Sequence, residues 1–266
     1  MEALLKTNAR MEALLDTIAK NTASKTSMQI IVSNNKTQFT TRFNPPIQLD
    51  KTKQYEIALV NLETYYSFPN IDASNNHFRY SPDDGATWVD IVIPEGSYDI
   101  LDINYTIQSI MRQKGHYDSA NDLYYITIYP NTNTLKSILI VENNYQVDFR
   151  PPNSINSVLG FNSELYTEGY HDSENIVNIL DINSILVNID IISGSYINSS
   201  TRNTIYSFFP NVSPGSKIIE NPKKLVYLPI TLDTIRRLQV SLTNQDGVLL
   251  NLRNEHLTIR FHIREM

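Results

Sequence analysis

Hydrophobic and polar positions alternate with period two through most of this chain. In LTIRFHI, residues 257–263, Leu257, Ile259, Phe261 and Ile263 fall on one side and Thr258, Arg260 and His262 on the other. That is the pattern of a half-buried antiparallel strand. Runs of the same kind predict strands at 28–33, 37–43, 54–62, 77–80, 88–93, 123–129, 135–141, 185–191, 203–209, 223–229, 238–243 and 248–251. Turn phrases separate them: SPDDG (81–85), YPNTN (129–133), RPPNS (150–154) and NQDG (244–247). The stretch 150–183 is weakly patterned and reads as an excursion between strands, with a short helical turn at 154–159.

One interior stretch changes period. In IPEGSYDILDINYTIQSIMRQKG (93–115), Ile100, Ile103, Ile107 and Ile110 recur at intervals of three and four, which predicts a helix over about 98–114 with one buried face. Ser97 or Asp99 can cap its start. Gly115 can close its end in the left-handed conformation, after Arg112 and Lys114 beside the negative pole of the helix dipole. Many short strands with a single long interior helix predict an all-β sandwich or barrel, not a βαβ sheet. The helix is expected to cover an open end or edge of that sandwich.

A second helical pattern occupies residues 1–21, MEALLKTNARMEALLDTIAKN, where "MEALL" occurs twice. The ten-residue offset rotates the copies by roughly 80° and makes no continuous seam. A heptad frame does better: Leu4, Met11 and Ile18 fall seven apart with Leu14 between them, flanked by Leu5 and Leu15, although Thr7 is polar. Under three heptads, the stripe is too short to be stable alone and needs a partner surface. Residues 22–27, TASKTS, read as a linker, so the expected organisation is an arm (1–21), a linker (22–27) and one β-domain (28–266).

The 266 residues and 41% hydrophobic content suffice for a sizeable core. No apolar run of eighteen residues and no hydrophobic signal segment occur, so the expectation is a soluble chain, intracellular at synthesis, with no membrane span. There is no cysteine, which removes disulfides, thiolate metal sites and cysteine nucleophiles together. A net charge of −6 disfavours a broad cationic surface, and the doublets Lys223–Lys224 and Arg236–Arg237 read as solvated edges, so no specific nucleic acid is expected.

Candidate chemistry is sparse. His77, His116, His171, His256 and His262 show no helical pairing or ligand motif, which leaves a metal site to long-range contacts alone. Asp83–Asp84–Gly85 and Asp246–Gly247 fit tight turns better than calcium loops, whose alternating carboxylates are missing. With eight glycines and no phosphate-cradling phrase, a nucleotide site is not expected. Tyr65–Tyr66 and Tyr124–Tyr125 should each place one ring inward and one outward. The reading is of a protein that is no enzyme, with no catalytic, metal or cofactor residues and no cofactor.

Several phrases resemble a known family: IPEGSYDILDIN (93–104), SVLGF (157–161), IDIISGSYIN (189–198) and the closing ITLDTIRRLQVSLTNQDGVLLNLRNEHLTIRFHI (230–263). Together they are similar to the penton-type minor capsid proteins of Polinton (Maverick) elements, adintoviruses and their virophage relatives, over most of residues 28–264 but not the N-terminal arm. The resemblance implies a single jelly-roll β-sandwich, a homopentamer at each icosahedral vertex, a double jelly-roll major capsid protein as partner, and a place in the virion after assembly in the host nucleus. The arm would then use Leu4, Leu5, Met11, Leu14, Leu15 and Ile18 as anchors against a neighbour, the inner face of the shell, or its own sandwich. A carbohydrate- or receptor-binding sandwich is the rival class, because jelly rolls also serve as lectins. A hydrolase with dispersed residues is the third.

Overall fold

The structure, a computed structural model, describes residues 10–11, 26–179, 182–197 and 199–266. Three strands come first: β1 (Ser27–Asn34), β2 (Gln38–Gln48) and β3 (Tyr55–Tyr65). There follow β4 (His77–Ser81), β5 (Val89–Val92), α1 (Ile100–Lys114), β6 (Ile126–Asn131), β7 (Lys136–Val141), β8 (Gln146–Asp148), α2 (Asn156–Leu159), β9 (Leu165–Tyr166) and β10 (Gly169–Asp172). The chain ends with β11 (Ile185–Ile189), β12 (Ser195–Ile197), β13 (Ser200–Arg202), β14 (Thr204–Phe208), β15 (Lys217–Glu220), β16 (Leu228–Pro229), β17 (Thr234–Thr243) and β18 (Leu257–Glu265).

Two antiparallel sheets enclose the larger core. One runs β1–β18–β3, with β15 and β16 both on the far side of β3 as two halves of one broken strand; the other runs β14–β11–β17–β2. Counting β15 and β16 together gives eight strands in two four-stranded sheets with Greek-key connections, which is a jelly roll. The alternation in the sequence is borne out in β18, where Leu257, Ile259, Phe261 and Ile263 are all buried between the sheets.

Between β3 and β11 the chain leaves the sandwich and builds a second hydrophobic cluster. The larger cluster draws only on residues 28–68 and 182–263, and the second only on 71–179. The inserted helix belongs to the second. It packs on β6 and buries Ile100, Ile103, Ile107 and Met111, with Ile110 only partly buried. It therefore does not cap the sandwich edge, as its isolated position among strands suggested. Its buried face is satisfied by the β6–β7 sheet, and Asn104 accepts the Ile128 N–H at 2.9 Å.

The helix ends are as the residues indicate. The Asp102 N–H donates to Asp99 Oδ1 (2.8 Å) and the Asp99 N–H to Asp102 Oδ2 (3.2 Å), a reciprocal capping box, while Gly115 adopts φ +75° at the far end. Elsewhere the pattern and the fold part company. Of 223–229 only Leu228 and Pro229 pair with β3, and in 248–251 only Leu249 forms a bridge, to Thr243. The excursion 150–183 is more ordered than its pattern, with α2, β9 and β10 inside it.

Candidate functional site: two unlike lateral edges

The sheet order gives the sandwich two different sides. β1 and β2, joined by a three-residue connection, form one edge of both sheets; β14, β15 and β16 form the other. The first edge is polar, with Ile31 (58% exposed) as its large exposed apolar side chain in β1. The second exposes Tyr196 (70%), Val226 (57%), Phe209 and Val212. It also holds a groove of 660 Å³ lined by Leu186, Tyr196, Ile205, Tyr206, Val226 and Leu228 among others.

Local chemistry fixes this groove. The Tyr206 hydroxyl donates to Glu220 Oε1 at 2.7 Å; burial, aided by that carboxylate, pushes its phenol up to about 12, so the ring stays neutral as part of the wall. The opposite rim is tied to the outer face of the β1–β18–β3 sheet through His262. Its Nδ1 bonds the Tyr227 hydroxyl (2.7 Å) and its Nε2 bonds Ser27 Oγ (2.6 Å). The Arg264 guanidinium lies 3.6 Å over the Tyr227 ring and donates to Glu56 Oε1 at 2.6 Å. His262, which alternation marks as a plain surface residue, is thus partly buried and engaged at both ring nitrogens.

The two ends of the sandwich also differ. The Thr26 N–H donates to Glu265 Oε2 (3.2 Å), the Glu265 N–H donates to the Thr26 carbonyl (2.9 Å), and the Met266 N–H donates to the Gln54 carbonyl (3.0 Å). The start of β1 and the last residues therefore sit where β3 begins. The insertion leaves where β3 ends, ten residues and roughly 33 Å further along. Of the arm residues named from the heptad pattern, Met11 is described, helical and 57% exposed; Leu4, Leu5, Leu14, Leu15 and Ile18 lie outside the described residues.

No candidate reaction centre emerges among the described residues. None of the His, Asp and Glu side chains there group in threes able to hold a metal. The Asp83 carboxylate accepts from the Thr87 N–H and hydroxyl inside its own turn. Tyr65 faces out and Tyr66 in, as expected, but Tyr124 and Tyr125 are both partly buried. Tyr124 stacks on Tyr117 with Arg112 over both rings, which uses their faces internally.

Among the described residues the most buried charge is Asp148, in the insertion. It takes bonds from Arg79 Nε (2.9 Å), Arg150 Nε (2.7 Å) and the Arg150 N–H (3.0 Å). Burial alone would push this carboxyl up, but the Arg150 and Arg79 bonds outweigh it and hold it at about 2. Saturated by two arginines, it pins strands together and has no lone pair directed at a ligand.

The geometry defines a jelly-roll sandwich with two unlike lateral edges and no cluster of metal-ligating side chains among the described residues. No family model matches the chain, and no curated protein does. Among solved structures it is similar to the selenomethionine-labelled mavirus penton protein, over 91% of this chain and 100% of that one, at 11% identity and a TM-score of 0.48. Among the described residues no helix is long and apolar enough to cross a membrane.

Proposed function

We propose that this chain is a minor capsid protein of the penton type, five copies of which close a ring at the vertex of an icosahedral virion. The observation that carries the reading is the pair of unlike lateral edges, one polar and rooted at the start of β1, the other apolar and grooved. A closed ring needs such a heterologous pair, because each subunit must present one face forward and a different one backward. The phrases that resemble penton-type minor capsid proteins of Polinton (Maverick) elements, adintoviruses and their virophage relatives support it, and the closing phrase contains β17 and most of β18, which lie inside the two sheets.

In this reading the arm and C-terminal end face the particle interior and the insertion is displayed outward. The surrounding partner is a double jelly-roll major capsid protein, and Leu4, Leu5, Met11, Leu14, Leu15 and Ile18 anchor the arm to the assembly. The role is structural, with no chemistry and no cofactor, in a virion assembled in the host nucleus. Deleting residues 1–21 tests it. A subunit that folds with unchanged thermal stability but fails to enter particles supports an assembly arm, whereas normal incorporation with lowered thermal stability assigns the segment to its own sandwich.

A further inference from the structure

The groove between Tyr196 and Val226 is apolar, open and unfilled by any described residue, and the chain carries a short apolar stripe that cannot bury itself. We propose that the groove receives the N-terminal segment of a second copy of this chain, with Leu14 and Ile18 seated between Tyr196 and Val226. The inference rests on the head-to-tail ring and names the contact that closes it.

The placement of the two parts carries the inference. Residues 1–25 precede Thr26, which is clamped to Glu265 at the start of the edge strand β1. The groove wall at Leu228 lies on the opposite edge of the same sheet and at the same height: Met28 pairs with Ile263, Ile263 with Ile57, and Ile57 with Leu228. Three inter-strand steps separate them, about 14 Å. Every subunit thus presents the root of its arm on one side and a groove on the other, level with each other.

When the β1 edge of one copy meets the β14–β16 edge of the next, the root arrives at the rim of the groove. Residues 22–25 span at most about 14 Å, enough for Ile18 to reach over the rim. Leu14 and Ile18 stand four positions apart in the sequence, the spacing at which a segment that enters as a helix would seat both apolar side chains together. Within each subunit the spacing is held rigid by the bonded line Ser27–His262–Tyr227, which joins the foot of the arm to the residue beside Val226. A fixed spacing lets the same contact repeat around a ring without accumulated error.

The absence of cysteine gives a clean test. Ile18→Cys and Val226→Cys are combined in the full chain, oxidised gently, and separated under denaturing, non-reducing conditions, with the mass of the undenatured sample measured in parallel. The expected result is a ladder of covalently joined chains, together with one-to-one dimers when the two single variants are mixed. A monomer carrying an internal link overturns the inference in favour of self-docking. Rings that persist without any link overturn it while leaving the ring intact; unlinked material of monomer mass overturns both.

Discussion

Asn70 Nδ2 donates to the Ile179 carbonyl at 3.0 Å, although 109 residues separate the two. The same amide donates to the Tyr98 carbonyl (2.7 Å), and its oxygen accepts the Tyr98 N–H (2.9 Å). One side chain thus closes the point where the insertion leaves and returns. Asn70→Ala would strand two acceptors and a donor in a partly buried junction, for a loss of about 2 kcal/mol. Urea unfolding of the variant should show this, with secondary structure unchanged in dilute buffer.

Because the two crossings meet there, replacing residues 71–178 by a short Gly-Ser linker should leave the jelly roll folded. Its core residues all lie outside that span, and a short closure costs little extra entropy. Circular dichroism should retain a β signature and a cooperative melt. A molten, noncooperative chain would mean that the sandwich depends on the insertion.

Asp148 makes stability depend on pH. Its folded value, about 2, lies below the ordinary 3.8, so the folded state holds fewer protons than the unfolded between those values. The contribution, about 2 kcal/mol, is complete above pH ~4 and disappears as pH falls through ~2. The stability gap between wild type and Asp148→Asn should therefore narrow over that window in urea titrations.

Gly160 sits at φ +81°, and a β-carbon there would overlap the Asn175 carbonyl oxygen. The Asn175 N–H in turn donates to the Gly160 carbonyl at 2.9 Å. Gly160→Ala combines left-handed strain with a clash against backbone and should cost about 3 kcal/mol. Hydrogen exchange should locate the loss in residues 71–179, where the adjacent Val158, Leu159 and Phe161 are buried.

Val226 is exposed, so Val226→Asp should change chain stability by less than about 0.5 kcal/mol. A charge in the groove should nevertheless abolish ring formation. Equal melting temperatures with lost assembly, measured by calorimetry and light scattering, would separate the surface role from folding.

Much of this fold is legible in residue order. Leu257 to Ile263 declare a strand because alternation alone sorts their side chains, and Asp99 with Asp102 and Gly115 mark both ends of α1 by local hydrogen bonding. What α1 packs against is not legible, since a stripe of isoleucines names a face and no partner. The break between β15 and β16 is hidden for a related reason: Pro222 and Pro229 signal interruption but not which strand the halves rejoin. The groove is invisible in the sequence, because Leu186, Tyr196, Ile205 and Val226 come from separate segments and meet only when β14 and β16 become edges.

Five-fold closure is tested most directly by the native mass of the purified chain at micromolar concentration, with negative-stain images of the same sample. Rings of five subunits joined through unlike edges are the expected result. A two-fold dimer that pairs the β14–β16 edge with itself, or a chain that stays monomeric, would contradict a building block made to close head to tail.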